Sequence, residues 1–244
     1  MSRSSATAPV LIGAGAELQR VSTAQRVADI LRERILRGEL PPGTSFPEQQ
    51  LTAAFGVSRN TLRQAFQILI GERLLVHEPH RGVSVRRLVA ADVRDIYTLR
   101  RLVECAALRP PERPAAQAKA RATARPTARP TAVAELRGAV TQGRAAARRG
   151  DWQEVGTADV GFHLAVTSLA GSERLNRTMH ALLAELRLAF HVVPDAQELH
   201  APFLELNGEI QQLVEDGLLE DAATRMAAYL DRAEAFVLAA MDGG

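Results

Sequence analysis

Lysine is nearly missing from this 244-residue chain: of 30 basic residues only Lys119 is not arginine, a compositional bias rather than a functional signal. Cysteine is equally scarce. A lone Cys105 excludes an internal disulfide and fits a reducing compartment, and its apolar helical setting predicts a buried, inert thiol. Aromatic residues make up only 4%. No apolar run approaches the ~18 residues that a membrane-spanning helix needs. The N-terminus offers one arginine, Arg3, and a weak apolar stretch from Ala8 to Ala16 broken by Pro9, Gly13 and Gly15, which does not read as a secretory signal. There is no glycine-rich phosphate loop and no nucleophile motif. These absences predict a soluble, cytoplasmic protein with no membrane partner, and they weigh against an enzyme.

Alanine and leucine lead a hydrophobic fraction of 46%, which favours helices, and the length suffices for one large domain or two modest ones. The net charge of +2 conceals a polarity along the chain. Residues 18–90 hold 11 Arg against 6 acidic residues, a balance of +5. Residues 109–149 hold 9 Arg and 1 Lys against 2 Glu (+8), whereas residues 150–244 hold 5 Arg against 16 acids (−11). A basic front and an acidic rear suit a protein that docks on a polyanion at one end.

The most specific stretch is Phe55-Gly56-Val57-Ser58-Arg59-Asn60-Thr61-Leu62-Arg63-Gln64. Gly56 can take the positive φ that ends a helix, and Ser58 is a good N-cap for the next. Leu62, Phe66 and Leu69 then recur at helical spacing, leaving Arg59, Asn60, Arg63, Gln64 and Gln67 on the other faces. Such a helix suits the major groove, where Arg, Asn and Gln match the hydrogen-bonding edges of bases. Before it, the pattern predicts a helix from Thr23 to Arg37, buried through Val27, Ile30, Leu31 and Ile35. After the stop at Leu40-Pro41-Pro42-Gly43, a second helix starts near Pro47 and buries Leu51, Ala54 and Phe55. Leu74-Leu75-Val76 and Val83-Ser84-Val85, around a tip at His77 to Gly82, read as two short strands. Three helices and a β-hairpin make a winged helix-turn-helix over residues 18–88, behind a flexible tail at 1–17.

From Ala90 the chain reads as an antiparallel all-α bundle, with helices at 91–108, 132–149, 151–170, 172–191, 201–216 and 219–240. The fold class is therefore mainly α. Residues 109–131 interrupt the bundle with a Pro/Ala/Arg-rich low-complexity loop, which either brushes DNA phosphates or is simply solvated. Residues 89–240 form the effector-binding and dimerisation domain of this reading.

In this order the pieces resemble the GntR family of bacterial transcription regulators, in its FadR-like branch with an all-helical C-terminal FCD domain. The resemblance rests on Ile30 through Gly43, then Gly56-Val57-Ser58-Arg59 and Leu62-Arg63-Gln64-Ala65. Tyr97 through Glu104, Gly150-Asp151 and Asp159-Val160-Gly161-Phe162-His163 add looser cues. It implies a homodimer that binds a short palindromic operator on double-stranded DNA as a repressor. The DNA contacts it implies are Gln49, Ser58, Arg59, Asn60, Thr61 and Arg63, with His80, Arg81 and Gly82 at the wing tip. Gln49 is neutral where some relatives carry Arg. It also implies a small-molecule effector, a carboxylate or acyl compound.

Asp159 and His163 stand at i, i+4 on one face, a spacing that lets both coordinate one divalent metal ion. Many relatives add two histidines from the last two helices, at positions held here by Asn207 and Tyr229, so tight metal binding is disfavoured. His180, His191 and His200 are substitutes that spacing cannot rank. Arg100, Asp159, His163, Asn207 and Tyr229 all fall on inward faces, where an unpaired polar group costs on the order of 1–3 kcal/mol. They form either an effector pocket in which Arg100 takes a carboxylate, or closed pairs of Arg100 with Glu104 and Asp159 with His163. The rival functions are a constitutive DNA-binding dimer and a small-molecule enzyme using Asp159 and His163.

Overall fold

The computed structural model describes residues 22–109, 128–193 and 195–243. The expected tail at 1–17 and most of the 109–131 loop lie outside these residues. The chain divides into two compact units between Arg86 and Arg87.

In the first unit, α1 (Thr23–Leu36) is capped by Ser22, whose hydroxyl accepts from the Gln25 amide at 3.1 Å. It buries Ala24, Val27, Ala28, Leu31 and Ile35. Ile30, expected inside, is instead 40% exposed, because Leu31 and Ile35 already fill the face toward the core. The second helix, α2 (Glu48–Phe55), ends at Gly56 with φ of +62°, the left-handed C-cap the sequence called for. It buries no residue fully: Leu51 and Phe55 are half-buried and Ala54 is exposed. This two-turn helix packs chiefly on one neighbour, α3 (Arg59–Gly71), too little cover to close over it. Helix α3 buries Leu62, Ala65, Phe66 and Leu69 against α1.

Strands β1 (Leu75–Glu78) and β2 (Gly82–Val85) pair antiparallel, with Val76 opposite Ser84. Sequence periodicity missed a third participant. Ser45 bridges Ser84, and the Gly43 and Phe46 amides donate to Val85 and Val83 carbonyls at 2.8 Å. The segment between α1 and α2 is thereby hydrogen-bonded to the wing. Arg32 of α1 grips both carboxylate oxygens of Glu72, just after α3, at 2.7 Å, fastening the two helices at their ends.

The second unit consists of α4 (Ala90–Leu108), α5 (Ala128–Arg148), α6 (Trp152–Ser168), α7 (Glu173–Leu186), α8 (Ala196–Glu215) and α9 (Leu219–Asp242), with a short 3-10 helix at Ala189–Val192. Helix α6 packs between α5 on one side and α4, α7 and α8 on others, and α9 lies along α4 and α8. Three boundaries differ from expectation. Helix α5 begins at Ala128 rather than 132, inside the expected loop, because Pro130 falls in its first turn, where the missing N–H breaks no helical bond. The predicted 172–191 helix stops at Leu186, although Leu188 and Ala189 stay buried, so the apolar pattern concealed the break. Helix α8 starts at Ala196 rather than 201 because Asp195 caps it, accepting from the Gln197 amide at 2.8 Å, and it carries Pro202 in its interior.

Leu62 is fully buried in the first turn of α3. Leu62→Ala is expected to destabilise the DNA-binding unit by about 2–5 kcal/mol, read as a lower midpoint in urea unfolding followed by circular dichroism.

Candidate functional site

The turn into α3 builds one candidate surface. Ser58 Oγ accepts from the Thr61 amide at 3.1 Å and lies 2.9 Å from the Thr61 hydroxyl, which satisfies the helix start. With Leu62, Phe66 and Leu69 turned inward, Arg59, Asn60, Arg63, Gln64 and Gln67 are exposed together. Arg63 leans toward Glu48 of α2 at 3.4 Å, and Gln49 beside it is exposed. At the wing tip His80 and Gly82 both have positive φ, +65° and +81°, and Arg81 points out beside them, 3.9 Å from Glu78. The tight turn at 79–81 thus presents a cation on the narrowest part of the hairpin.

The second surface is built from buried polar groups on α4, α6, α8 and α9. Arg100 Nε donates to Glu104 Oε1 at 2.8 Å, and its guanidinium lies 5.0 Å from the Tyr97 ring centre. The other Glu104 oxygen faces His163 Nδ1 at 2.6 Å. An ionised carboxylate there requires Nδ1–H, leaving His163 Nε2 toward the Tyr229 hydroxyl at 3.3 Å. Tyr229 donates to Asp159 Oδ1 at 3.1 Å, which also accepts from Asn207 Nδ2 at 2.8 Å. Hydrogen bonds, with the close His163–Tyr229 contact between them, therefore connect all five inward residues with Glu104. Arg100 Nη2 and Asn207 Oδ1 are buried without a hydrogen-bond partner among the described residues.

Burial opposes ionisation of Glu104, but Arg100, then His163, outweigh it and hold the carboxyl below its ordinary value. Burial likewise opposes Asp159, and the His163 and His200 rings, with the Asn207 hydrogen bond, hold it low. Burial and the Asp159 charge push the Tyr229 phenol up, and burial pushes His200 and His191 down.

A metal ion does not fit these residues. The Tyr229 hydroxyl stands within 3.3 Å of both Asp159 Oδ1 and His163 Nε2, in the space that faces the two expected ligands. Neutral phenol and amide are poor donors for a divalent ion. Among the described residues no group of three His, Cys, Asp or Glu could hold one.

Of the two sequence readings of Arg100, carboxylate receptor or partner of Glu104, the structure shows the pair with Glu104, in the core. Sequence reasoning missed Arg187, just beyond α7, a guanidinium whose pKa burial lowers and whose charge interacts with Asp159. The available signal was its isolation: it is the sole arginine between Arg177 and Arg225, amid Leu186, Leu188 and Ala189. His200, which spacing could not rank, reaches a small cleft between α5, α6 and α8 alongside Asp159 and Asn207.

Glu104 is 0% exposed, so Glu104→Ala leaves Arg100 and His163 buried without their carboxylate. A loss of about 3–5 kcal/mol in urea unfolding of the helical domain is expected. Folding lowers the carboxyl pKa of both Glu104 and Asp159. Their contribution is therefore complete above the unfolded values, about 4, and is lost as pH falls through the lower folded values. The urea midpoint should drop below pH 4, and less steeply in Glu104→Gln.

Residues 23–85 match the family model described as bacterial regulatory proteins, gntR family, and residues 95–232 match that of the FCD domain. A solved structure of a GntR transcriptional regulator from Rhodococcus sp. RHA1 is 38% identical with a TM-score of 0.77, covering 88% of this chain and 97% of that one. A relative from Paenarthrobacter nicotinovorans, whose name ties it to a D-xylose utilization operon as transcriptional repressor, is 30% identical over 220 residues, 87% of this chain and 89% of its own. Escherichia coli McbR/YncC, at 18% identity and a TM-score of 0.68 over 89% of this chain and 98% of its own, shares the fold. With a wing and recognition helix at one end and an FCD bundle at the other, the chain belongs to the GntR family of bacterial DNA-binding transcriptional regulators.

Proposed function

We propose that this chain is a homodimeric repressor whose two copies of α3 read the half-sites of a short palindromic operator, and whose helical domain binds a small effector that sets operator affinity. Residues 18–88 act as the DNA reader and 89–240 as the effector and dimerisation domain, in the cytoplasm where the DNA lies. Among the described residues no helix is long and apolar enough to cross a membrane. The observation that carries the reading is the exposed set Arg59, Asn60 and Arg63 on a helix fixed by its buried face.

Arg59 or Arg63 can meet guanine O6 and N7 with two hydrogen bonds, worth ~1–3 kcal/mol of discrimination. Ser58 and Thr61, at the helix start, suit phosphate oxygens. Arg81 at the wing tip suits the narrow minor groove, with His80 and Gly82 shaping the turn and Gln49 offering a neutral contact. One recognition helix alone rarely binds tightly, and a two-fold operator calls for two readers. Helix α4 supplies a surface for a second copy: opposite its buried face, Leu99 and Leu102 are exposed, Leu102 at 67%.

The relative named for a D-xylose utilization operon makes sugar-responsive repression the first case to examine. The resemblance implies a carboxylate or acyl effector; Arg100 Nε is taken by Glu104, so only its Nη2 is left to meet a carboxylate from this core. Effector coupling to DNA should be on the order of 1–3 kcal/mol, about 5- to 150-fold in operator affinity.

Arg59→Ala and Arg63→Ala are each expected to reduce the preference for operator over random duplex by about 5- to 150-fold in fluorescence anisotropy. Equal weakening on both duplexes would make them phosphate contacts, and a wild-type protein without operator preference would sink the reading. Leu102→Glu should shift the protein from dimer to monomer in size-exclusion light scattering, and an unchanged mass would exclude this face of α4 as the interface.

A further inference from the structure

The cleft between α5, α6 and α8 is lined by Asp159, Asn207 and His200, and Asn207 carries one of the two polar atoms that the hydrogen-bond chain leaves over. Asn207 is only 5% exposed and lines it. Its Nδ2 must donate to the Asp159 carboxylate, so its orientation is fixed and Oδ1 is the buried acceptor without a partner. Asp159 Oδ1 already accepts twice, from Asn207 and Tyr229. Its Oδ2 lies 3.9 Å from His163 Nε2, beyond a hydrogen bond, and keeps its lone pairs.

The third polar group is His200, which hydrogen-bonds to none of the described residues. The packing provides for its ring. A Cβ on Gly156 would sit 2.6 Å from His200 Nε2, so only glycine there lets the imidazole lie against α6. Phe190 meets the other side edge-on, at 6.0 Å between ring centres. The remaining walls, including Val140, Val155 and Leu204, are aliphatic. As it stands, the cleft has room for about one water molecule. A larger occupant must part α5 from α8.

Two fixed acceptors and an imidazole select for donors. A carboxylate brought against Asp159 would meet like charge and could not satisfy Asn207 Oδ1. An ammonium group could donate to both oxygens but could not accept from a His200 ring N–H. Hydroxyl groups are neutral, donate to both oxygens and can accept from His200. We infer that the Asp159–Asn207–His200 cleft binds a small neutral polyhydroxylated molecule of monosaccharide or sugar-alcohol type, through vicinal hydroxyls donated to Asp159 and Asn207. This rests on the effector reading of the helical domain and names the chemistry of its ligand. Because entry separates two helices, binding itself changes the bundle.

The test is calorimetric titration and thermal unfolding of the full-length protein with D-xylose, D-arabinose, ribitol and D-xylonate, each followed by operator binding. Saturable stabilisation by at least one neutral compound, with none by xylonate, is expected. Asn207→Leu should weaken that binding roughly tenfold, the worth of one buried hydrogen bond. His200→Phe, which keeps the ring volume, should weaken it as well; both variants must first show cooperative melting. If xylonate binds and changes operator affinity while the neutral compounds are silent, the effector reading stands and the hydroxyl assignment is overturned. Neutral binding that survives both substitutions overturns the location. Silence across all four overturns the assignment, and a single water then accounts for Asn207. Binding lost in both variants without change in operator affinity supports the site and sinks its regulatory role.

Discussion

The helical domain depends on one buried carboxylate. Glu104 uses both oxygens, one on Arg100 of its own helix and one on His163 of α6. Take that carboxylate away and a guanidinium and an imidazole face each other in the core, a cost that apolar packing cannot offset. Through His163 the constraint passes to Tyr229 on α9, then to Asp159 and to Asn207 on α8. Four helices are held in register by groups that each need the next. Such a network rigidifies only while complete. Its two loose ends, Arg100 Nη2 and Asn207 Oδ1, are where the structure is open to something more.

Tyr229 decides what kind of centre this is. Its hydroxyl donates to Asp159 and lies 3.3 Å from His163 Nε2, in the space that faces the two expected metal ligands. In the DNA-binding unit the division of labour is simpler. Leu62, Phe66 and Leu69 fix α3, and the arginines and asparagine beside them are left on the surface.

Much of this was legible in the sequence because it is local. Gly56 and Ser58 mark a helix end and a helix start, and both perform those roles. The i, i+4 pair Asp159 and His163 shares an inward face, and the heptad-like spacing of α4 and α9 places Arg100 and Tyr229 in the core. What periodicity could not show is which distant groups meet. Ser45 carries no strand pattern of its own, yet bridges Ser84. Gly156 looks like a weak point in α6 until His200, forty-four residues later, fills the gap it leaves. Arg187 lies past a helix end that the apolar run of Leu186, Leu188 and Ala189 disguises. Ile30 and α2 fail for the opposite reason: an apolar residue at the right spacing is not buried unless a neighbour is there to cover it.

The bridge from Ser45 to the hairpin changes how the wing should be regarded. A hairpin joined to its domain by two chain ends would be a flexible flap, free to swing independently of the helices. Stitched along β2 by residues 43–46, it becomes a cantilever whose root is clamped between the first two helices, with only the turn at 79–81 overhanging. Changes of sequence are therefore cheap in that overhang and expensive in the clamp. Lengthening the connection between α1 and α2 would loosen the wing even though it lies more than thirty residues away along the chain.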